Sequence, residues 1–157
     1  MIKMTASQYA EKAKQIFFEG YNCSQSVVLA FEDLTGLDRD TLARLSSSFG
    51  GGIGRLREVC GAVSGAATVL GLLCGYSDPK DGEKKKEHYA LIQEFAERFK
   101  KENGSIICRE LLSGVETSNG SVPEQRTPEF YKKRPCAELV AISAEITAEL
   151  LAEKGVI

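Results

Sequence analysis

The chain has no tryptophan and a single histidine, His88. One imidazole cannot build a multi-histidine zinc centre, and any thiol–imidazole pair would have to use that residue. Proline is scarce, at four residues in 157, which leaves long stretches free to run as helix. Charge of one sign is lacking too: 20 Lys and Arg against 22 Asp and Glu give a formal net charge of -2. No basic excess exists to recruit nucleic acid or an anionic membrane surface, so neither is an expected partner. No apolar run reaches the roughly 20 residues of a membrane-crossing helix. The opening "MIKMTASQYAEKAKQIFFEG" alternates charge with apolar side chains and does not build the core of a signal peptide. The reading is a cytoplasmic protein.

Also missing is any Cys-X-X-Cys spacing. The five cysteines, Cys23, Cys60, Cys74, Cys108 and Cys136, stand far apart, so neither a zinc ribbon nor a thioredoxin-type motif is supported. An odd count in a reducing compartment argues against structural disulfides. If these thiols cooperate, tertiary folding must bring them together.

What the chain does contain is helical patterning. At 157 residues it fits one domain, residues 1–157, able to bury a core without disulfides. Residues 4–19 are amphipathic, with Thr5 or Ser7 as N-cap and Tyr9, Ala13, Ile16 and Phe17 on one stripe. Asn22 can cap a second helix through Phe31, and Asp38 a third, short one through Leu42 and Leu45. The cluster Gly50, Gly51, Gly52 and Gly54 reads as a loop ahead of a central helix over 57–74. A charged helix follows over 83–102, with Tyr89, Ile92, Phe95, Ala96 and Phe99 inward, closed at Asn103 and Gly104. A short helix over 106–112 carries Cys108, residues 113–133 read as a loop, and Pro135 opens a last helix over 136–153. The expectation is an all-α, single-domain bundle of about six to seven helices.

On that map Cys23, Cys60, Cys108 and Cys136 fall at or near helix starts, where unpaired N–H groups and the positive dipole end favour a thiolate. Cations stand close in sequence: Arg55 and Arg57 before Cys60, Arg109 after Cys108, and Lys132, Lys133 and Arg134 before Cys136. Cys74, at the other end of the central helix, is left out. Burial as small hydrophobes would explain each cysteine singly. The central helix is unusual in its small residues: Gly61 and Gly65 share one face, and Cys60, Ser64, Ala67 and Gly71 the adjoining one. Such spacing admits another backbone or a cofactor at close range. "GGGIG" matches neither a P-loop nor a dinucleotide fingerprint.

"FGGGIGR" followed by "EVCGAVSGA", with single cysteines in "GYNCSQSV", "CRELL" and "RPCAELV", resembles the redox-active proteins named C_GCAxxG_C_C. The resemblance runs from about Gly20 to about Val140 and implies a helical fold with a shared cysteine site. It places that site on Cys23, Cys60, Cys108 and Cys136, and the motif on Cys60, Gly61, Ala62 and Gly65.

Two chemistries follow for four thiols. In one, a thiolate attacks a disulfide and a second thiol resolves it, Cys60 being the first choice of nucleophile and Cys136 the second. In the other, four cysteinates hold zinc or an iron–sulfur cluster. Gly61, Gly65, Ser64, Gly52 and Arg55 are the candidates for contact with a bound group. His88, in "EKKKEHYA", reads as a surface residue, with a Cys60–His88 hydrolase as the outside reading. Glu58 could serve as acid or base, and Tyr21 and Asn22 could line the site. The competing class is a non-catalytic binding module whose cysteines only pack. An unidentified redox partner is expected, and the small-residue face would also suit a second copy of the chain.

Overall fold

Local capping chemistry sets most element boundaries. Thr5 and Gln8 form a reciprocal capping box that starts α1 (Ala6–Phe18), and Asn22 and Gln25 repeat the device at α2 (Cys23–Ala30). Asn22 does double duty, its Nδ2 donating to Ser47 O at 3.1 Å. After the single turn α3 (Glu32–Thr35), which ends on left-handed Gly36, the Asp38 carboxylate caps α4 (Arg39–Ser46). A 3₁₀ turn over Ser47–Phe49 leads into the glycine loop, and α5 (Gly61–Cys74) follows. Asp81 caps α6 (Gly82–Asn103), which stops at left-handed Gly104, and α7 (Cys108–Leu111), α8 (Pro128–Lys133) and α9 (Cys136–Glu153) complete the chain. The computed structural model describes residues 4–157, and among them the regular structure is nine α-helices and one 3₁₀ turn, with no strand. The fold is all-α. None of these helices is long and apolar enough to cross a membrane.

The core is built where α1, α2, α5 and α9 meet, with α6 laid against α5 and α9. Phe17, Phe31, Leu29, Val69, Leu70, Val140 and Leu151 are fully enclosed there, each contributing about 1.5–3 kcal/mol of apolar burial. Tyr9 stacks on Phe31 with ring centroids 4.5 Å apart. Ser143 of α9 donates to Ala62 O of α5 at 2.7 Å, a buried polar tie between the two helices. On the surface, Arg98 of α6 grips both oxygens of Glu153 at 2.7 and 3.0 Å.

Three sequence expectations are corrected. The central helix begins at Gly61, not Arg57, because Arg57 is left-handed and residues 57–60 spend backbone hydrogen bonds on residues 106–109 instead of on a helical turn. Residues 113–133 are not all loop: "TPEFYKK" forms α8, with Thr127 accepting from Phe130 N and Pro128 in the first turn. Tyr89 faces out, its hydroxyl 3.1 Å from that of Tyr76. The buried stripe of α6 instead runs Leu91, Phe95, Phe99, a strict four-residue spacing that excludes position 89.

Candidate functional site

The glycines of the central helix explain how two of the cysteines meet. A Cβ on Gly61 would lie 3.2 Å from Cys23 Cβ and 2.8 Å from Phe49 O, and one on Gly65 would lie 2.7 Å from Ser24 O. Only glycine lets the first turn of α2 sit on the first turn of α5. The missing side chains therefore seat Cys23 beside the start of the Cys60 helix.

The glycine loop does the same for Cys108. Gly51, Gly52, Ile53, Gly54, Arg55 and Arg57 all have positive φ, between 52° and 74°. The resulting left-handed winding is tied by Arg57 N to Gly51 O and Glu58 N to Gly52 O, each 3.0 Å. Three of these residues are not glycine, a conformation costing roughly 1 kcal/mol apiece. The winding delivers residues 57–60 against residues 106–109. There Val59 and Ile107 form an antiparallel bridge, and Cys60 N donates to Ile106 O at 2.8 Å and Cys108 N to Glu58 O at 2.6 Å. Gly52 then lies under Cys108, whose Cβ would be 2.8 Å from a Cβ placed there.

Cys23, Cys60, Cys108 and Cys136 all line one cavity of about 400 Å³. All four are free thiols. Gly61, Gly52 and Arg55 line the same cavity, whereas Ser64 and Gly65 do not; Gly65 is spent on contact with α2. Cys74, at the last turn of α5, also lies elsewhere, and burial pushes its thiol up. His88 is outside the cavity, its ring 6.1 Å from that of Tyr76, so no thiol–imidazole pair forms with Cys60.

Of the cations expected near the thiols, Arg55, Arg57 and Arg134 line the cavity. Arg109 turns away to the exposed Glu58 carboxylate at 2.6 Å, which also takes Glu58 out of the site, and Lys132 and Lys133 are exposed. Five lining residues come from the stretch read as loop, Ser121, Pro123, Glu124, Arg126 and Phe130, and two of them are charged. Arg126 donates to Tyr21 O at 2.9 Å and to Phe17 O at 3.1 Å, and its guanidinium lies 4.2 Å over the Phe17 ring. Glu124 accepts from Ser118 N at 2.8 Å and from Arg134. Its partial burial opposes ionisation, yet the bonds from Ser118 and the charge of Arg134 hold the carboxyl below its usual range. No spacing rule marks either residue; the one available signal was the Thr-Pro-Glu start of α8, which folds this segment back over the thiols.

The four thiols differ in acidity. Proximity to the Cys23 thiol, with the charges of Arg134, Arg126 and Arg57 assisting, outweighs burial and brings the Cys136 thiol down to about 7. The same proximity, together with burial, pushes the Cys23 thiol well up. Cys60 is pushed up to about 12 by burial, although the amides of Ala62 and Val63 at the helix start pull the other way. Cys108 is raised by burial against the pull of Arg57, whose Nη1 lies 3.9 Å from its Sγ. The helix-start argument therefore acts on Cys60 but loses to desolvation, and the acidic thiol is Cys136.

Fold and site together define a small helical protein with four unpaired thiols gathered in one arginine-lined cavity. A family model described as "Putative redox-active protein (C_GCAxxG_C_C)" matches residues 21–150, and the chain belongs to that family. No curated protein and no solved structure matches it. Among the described residues no group of three or more His, Cys, Asp or Glu is arranged to hold a metal ion. The four cysteines share one cavity, and each is a free thiol.

Proposed function

We propose that the protein carries out reversible thiol–disulfide exchange at this cavity, with Cys136 as attacking thiolate and Cys23 as resolving thiol. The observation that supports the reading is that Cys23 and Cys136 line one cavity with Arg57, Arg126 and Arg134, which together with the neighbouring thiol bring the Cys136 thiol below its ordinary range. An acidic thiol with a second thiol beside it is the arrangement that exchange requires.

The steps balance without a bound group. Cys136 Sγ⁻ attacks a disulfide R–S–S–R′, forming Cys136–S–S–R and releasing R′–S⁻. Cys23 then gives its proton to the departing R′–S⁻ and attacks Cys136 Sγ; the Cys23–Cys136 bond forms, the mixed bond breaks and R–S⁻ leaves. The substrate disulfide gains two electrons and the protein loses two, and a dithiol reductant reverses the change. Cys60 and Cys108, kept protonated by burial, line the wall as neutral thiols.

The test is a free-thiol count, with iron, zinc and acid-labile sulfide content, on protein purified without oxygen and again after mild oxidation. The expected result is a loss of two thiols and a Cys23–Cys136 crosslinked peptide, absent in Cys136→Ser. Thiols inert until denaturation would make the protein a binding module with packed cysteines. Stoichiometric metal lost in Cys60→Ser would replace exchange by a metal or cluster site.

A further inference from the structure

The cavity's charge names the kind of molecule it accepts. Among the described residues its lining holds four arginines, Arg55, Arg57, Arg126 and Arg134, against one carboxylate, Glu124. In a chain whose net charge is -2, this local surplus of three positive charges is built in, not inherited from composition. Three of the four guanidiniums are committed. Arg126 holds the carbonyls of Phe17 and Tyr21, Arg134 pairs with Glu124, and Arg55 donates to Ser118 Oγ at 2.9 Å and to Gly120 O.

Arg57 is different. Its Nε and Nη2 are shielded from solvent and have no hydrogen-bond partner among the described residues; Nη2 has only a long ion pair to Glu124 Oε1 at 3.9 Å, and Nη1 a long contact to Cys108 Sγ at 3.9 Å. A buried donor left unpaired is costly, and this one is held in place by a left-handed backbone, φ 61°. The Nε and Nη2 edge is also the face of guanidinium that takes both oxygens of a carboxylate side-on. Phe17, Leu111, Leu112, Phe130 and Leu139 give the cavity an apolar side as well. A space of about 400 Å³ suits a small molecule, not a protein loop.

We propose, resting on the exchange reading, that the substrate is a low-molecular-weight disulfide bearing a carboxylate, which docks on the Nε/Nη2 edge of Arg57 and presents its sulfurs to Cys136. The carboxylate completes the unpaired donors, and the apolar wall covers the carbon chain.

The test uses three symmetric disulfides of similar length: 3,3′-dithiodipropionate (anionic), bis(2-hydroxyethyl) disulfide (neutral) and cystamine (cationic). Each rate with the reduced protein at pH 7 and low salt is divided by its rate with 2-mercaptoethanol, which removes intrinsic reactivity. The dianion is expected to lead the neutral disulfide by about tenfold, with cystamine slowest. Arg57→Gln brings the anion-to-neutral ratio to within about twofold of one. Arg57→Lys, which keeps the charge but loses the fork, retains part of the preference and serves if the glutamine variant does not fold. Calorimetry of 3,3′-dithiodipropionate with Cys136→Ser, and with Cys136→Ser carrying Arg57→Gln, reads binding apart from chemistry. Equal normalised rates for all three disulfides, or a preference that survives both Arg57 variants, overturns the carboxylate site and leaves exchange standing. Failure of every disulfide to react, with Arg57-dependent binding retained, overturns exchange and keeps the carboxylate site.

Discussion

Replacing Cys23 by alanine removes the largest contribution to the acidity of Cys136 and leaves the guanidiniums of Arg134, Arg126 and Arg57 in place. The Cys136 thiol then rises from about 7 toward its ordinary 9.0. Taking a rise of about one unit, the thiolate share at pH 7 falls from about half to about a tenth. Intrinsic nucleophilicity rises with basicity at a Brønsted slope of about 0.4–0.5, a gain of roughly threefold per unit. The two effects oppose each other, so the pH profiles cross. Near pH 7 the variant alkylates roughly twofold slower than the parent; near pH 9 it alkylates roughly two- to threefold faster, with the crossing close to pH 7.6. The assay is peptide-resolved alkylation of Cys136 by iodoacetamide, a neutral reagent that the arginines neither attract nor repel, read by mass spectrometry from pH 5.5 to 10. Cys23→Ser keeps a donor and falls between the two. Profiles with the same midpoint in parent and Cys23→Ala would refute the claim that the second thiol sets the acidity of the first.

Two further outcomes follow from the packing. Gly65→Ala drives a Cβ to 2.7 Å from the Ser24 carbonyl and is expected to lower stability by about 1–3 kcal/mol in urea melts. Gly71→Ala on the same helix meets nothing within 4 Å and is expected to be neutral or to stabilise by up to about 1 kcal/mol; equal losses in the two would refute the close-approach account. Burial raises Cys60 from 9.0 to about 12, so above pH 9 the unfolded chain releases a proton that the folded chain keeps. That stability is complete below pH 9 and is lost as pH climbs toward 12, at up to about 1.4 kcal/mol per unit. The fall is expected to be shallower in Cys60→Ala, measured by urea midpoints at pH 8, 9, 10 and 11, where the difference between the two chains separates Cys60 from Tyr9, also raised by burial.

How much was legible beforehand depended on whether the cause was local. Caps such as Asn22 and Asp38 act within four residues, so α2 and α4 could be read directly from the letters. The small-residue face of α5 was legible as well, because glycine at four-residue spacing has few other uses in a helix, while the grouping of the four cysteines was implied by the family resemblance. Which thiol is acidic was not legible. Cys60 has the helix start and the nearby arginines, but its ionisation is decided by burial, a property of segments more than 40 residues away in sequence, such as the Ile106 strip it pairs with. Arg126 and Glu124 stood in a polar stretch with no periodicity, and their role depends on α8 turning the chain back onto Phe17 and Tyr21. The left-handed winding at Ile53, Arg55 and Arg57 was equally hidden, since nothing in those side chains favours positive φ.

Among the described residues, the helix that carries Cys136 follows all the others in sequence, and it packs against α1. On the ribosome, Cys23, Cys60 and Cys108 are therefore made before the element that completes their cavity. During that interval each is an isolated thiol of ordinary acidity, without the arginines of the returning segment or the Cys136 thiol beside Cys23. Paired chemistry becomes available only when α9 docks along α1 and α5. Completion of the fold and arming of the site are thus one event, and a chain interrupted before Arg134 would carry three of the four site cysteines and no activated one.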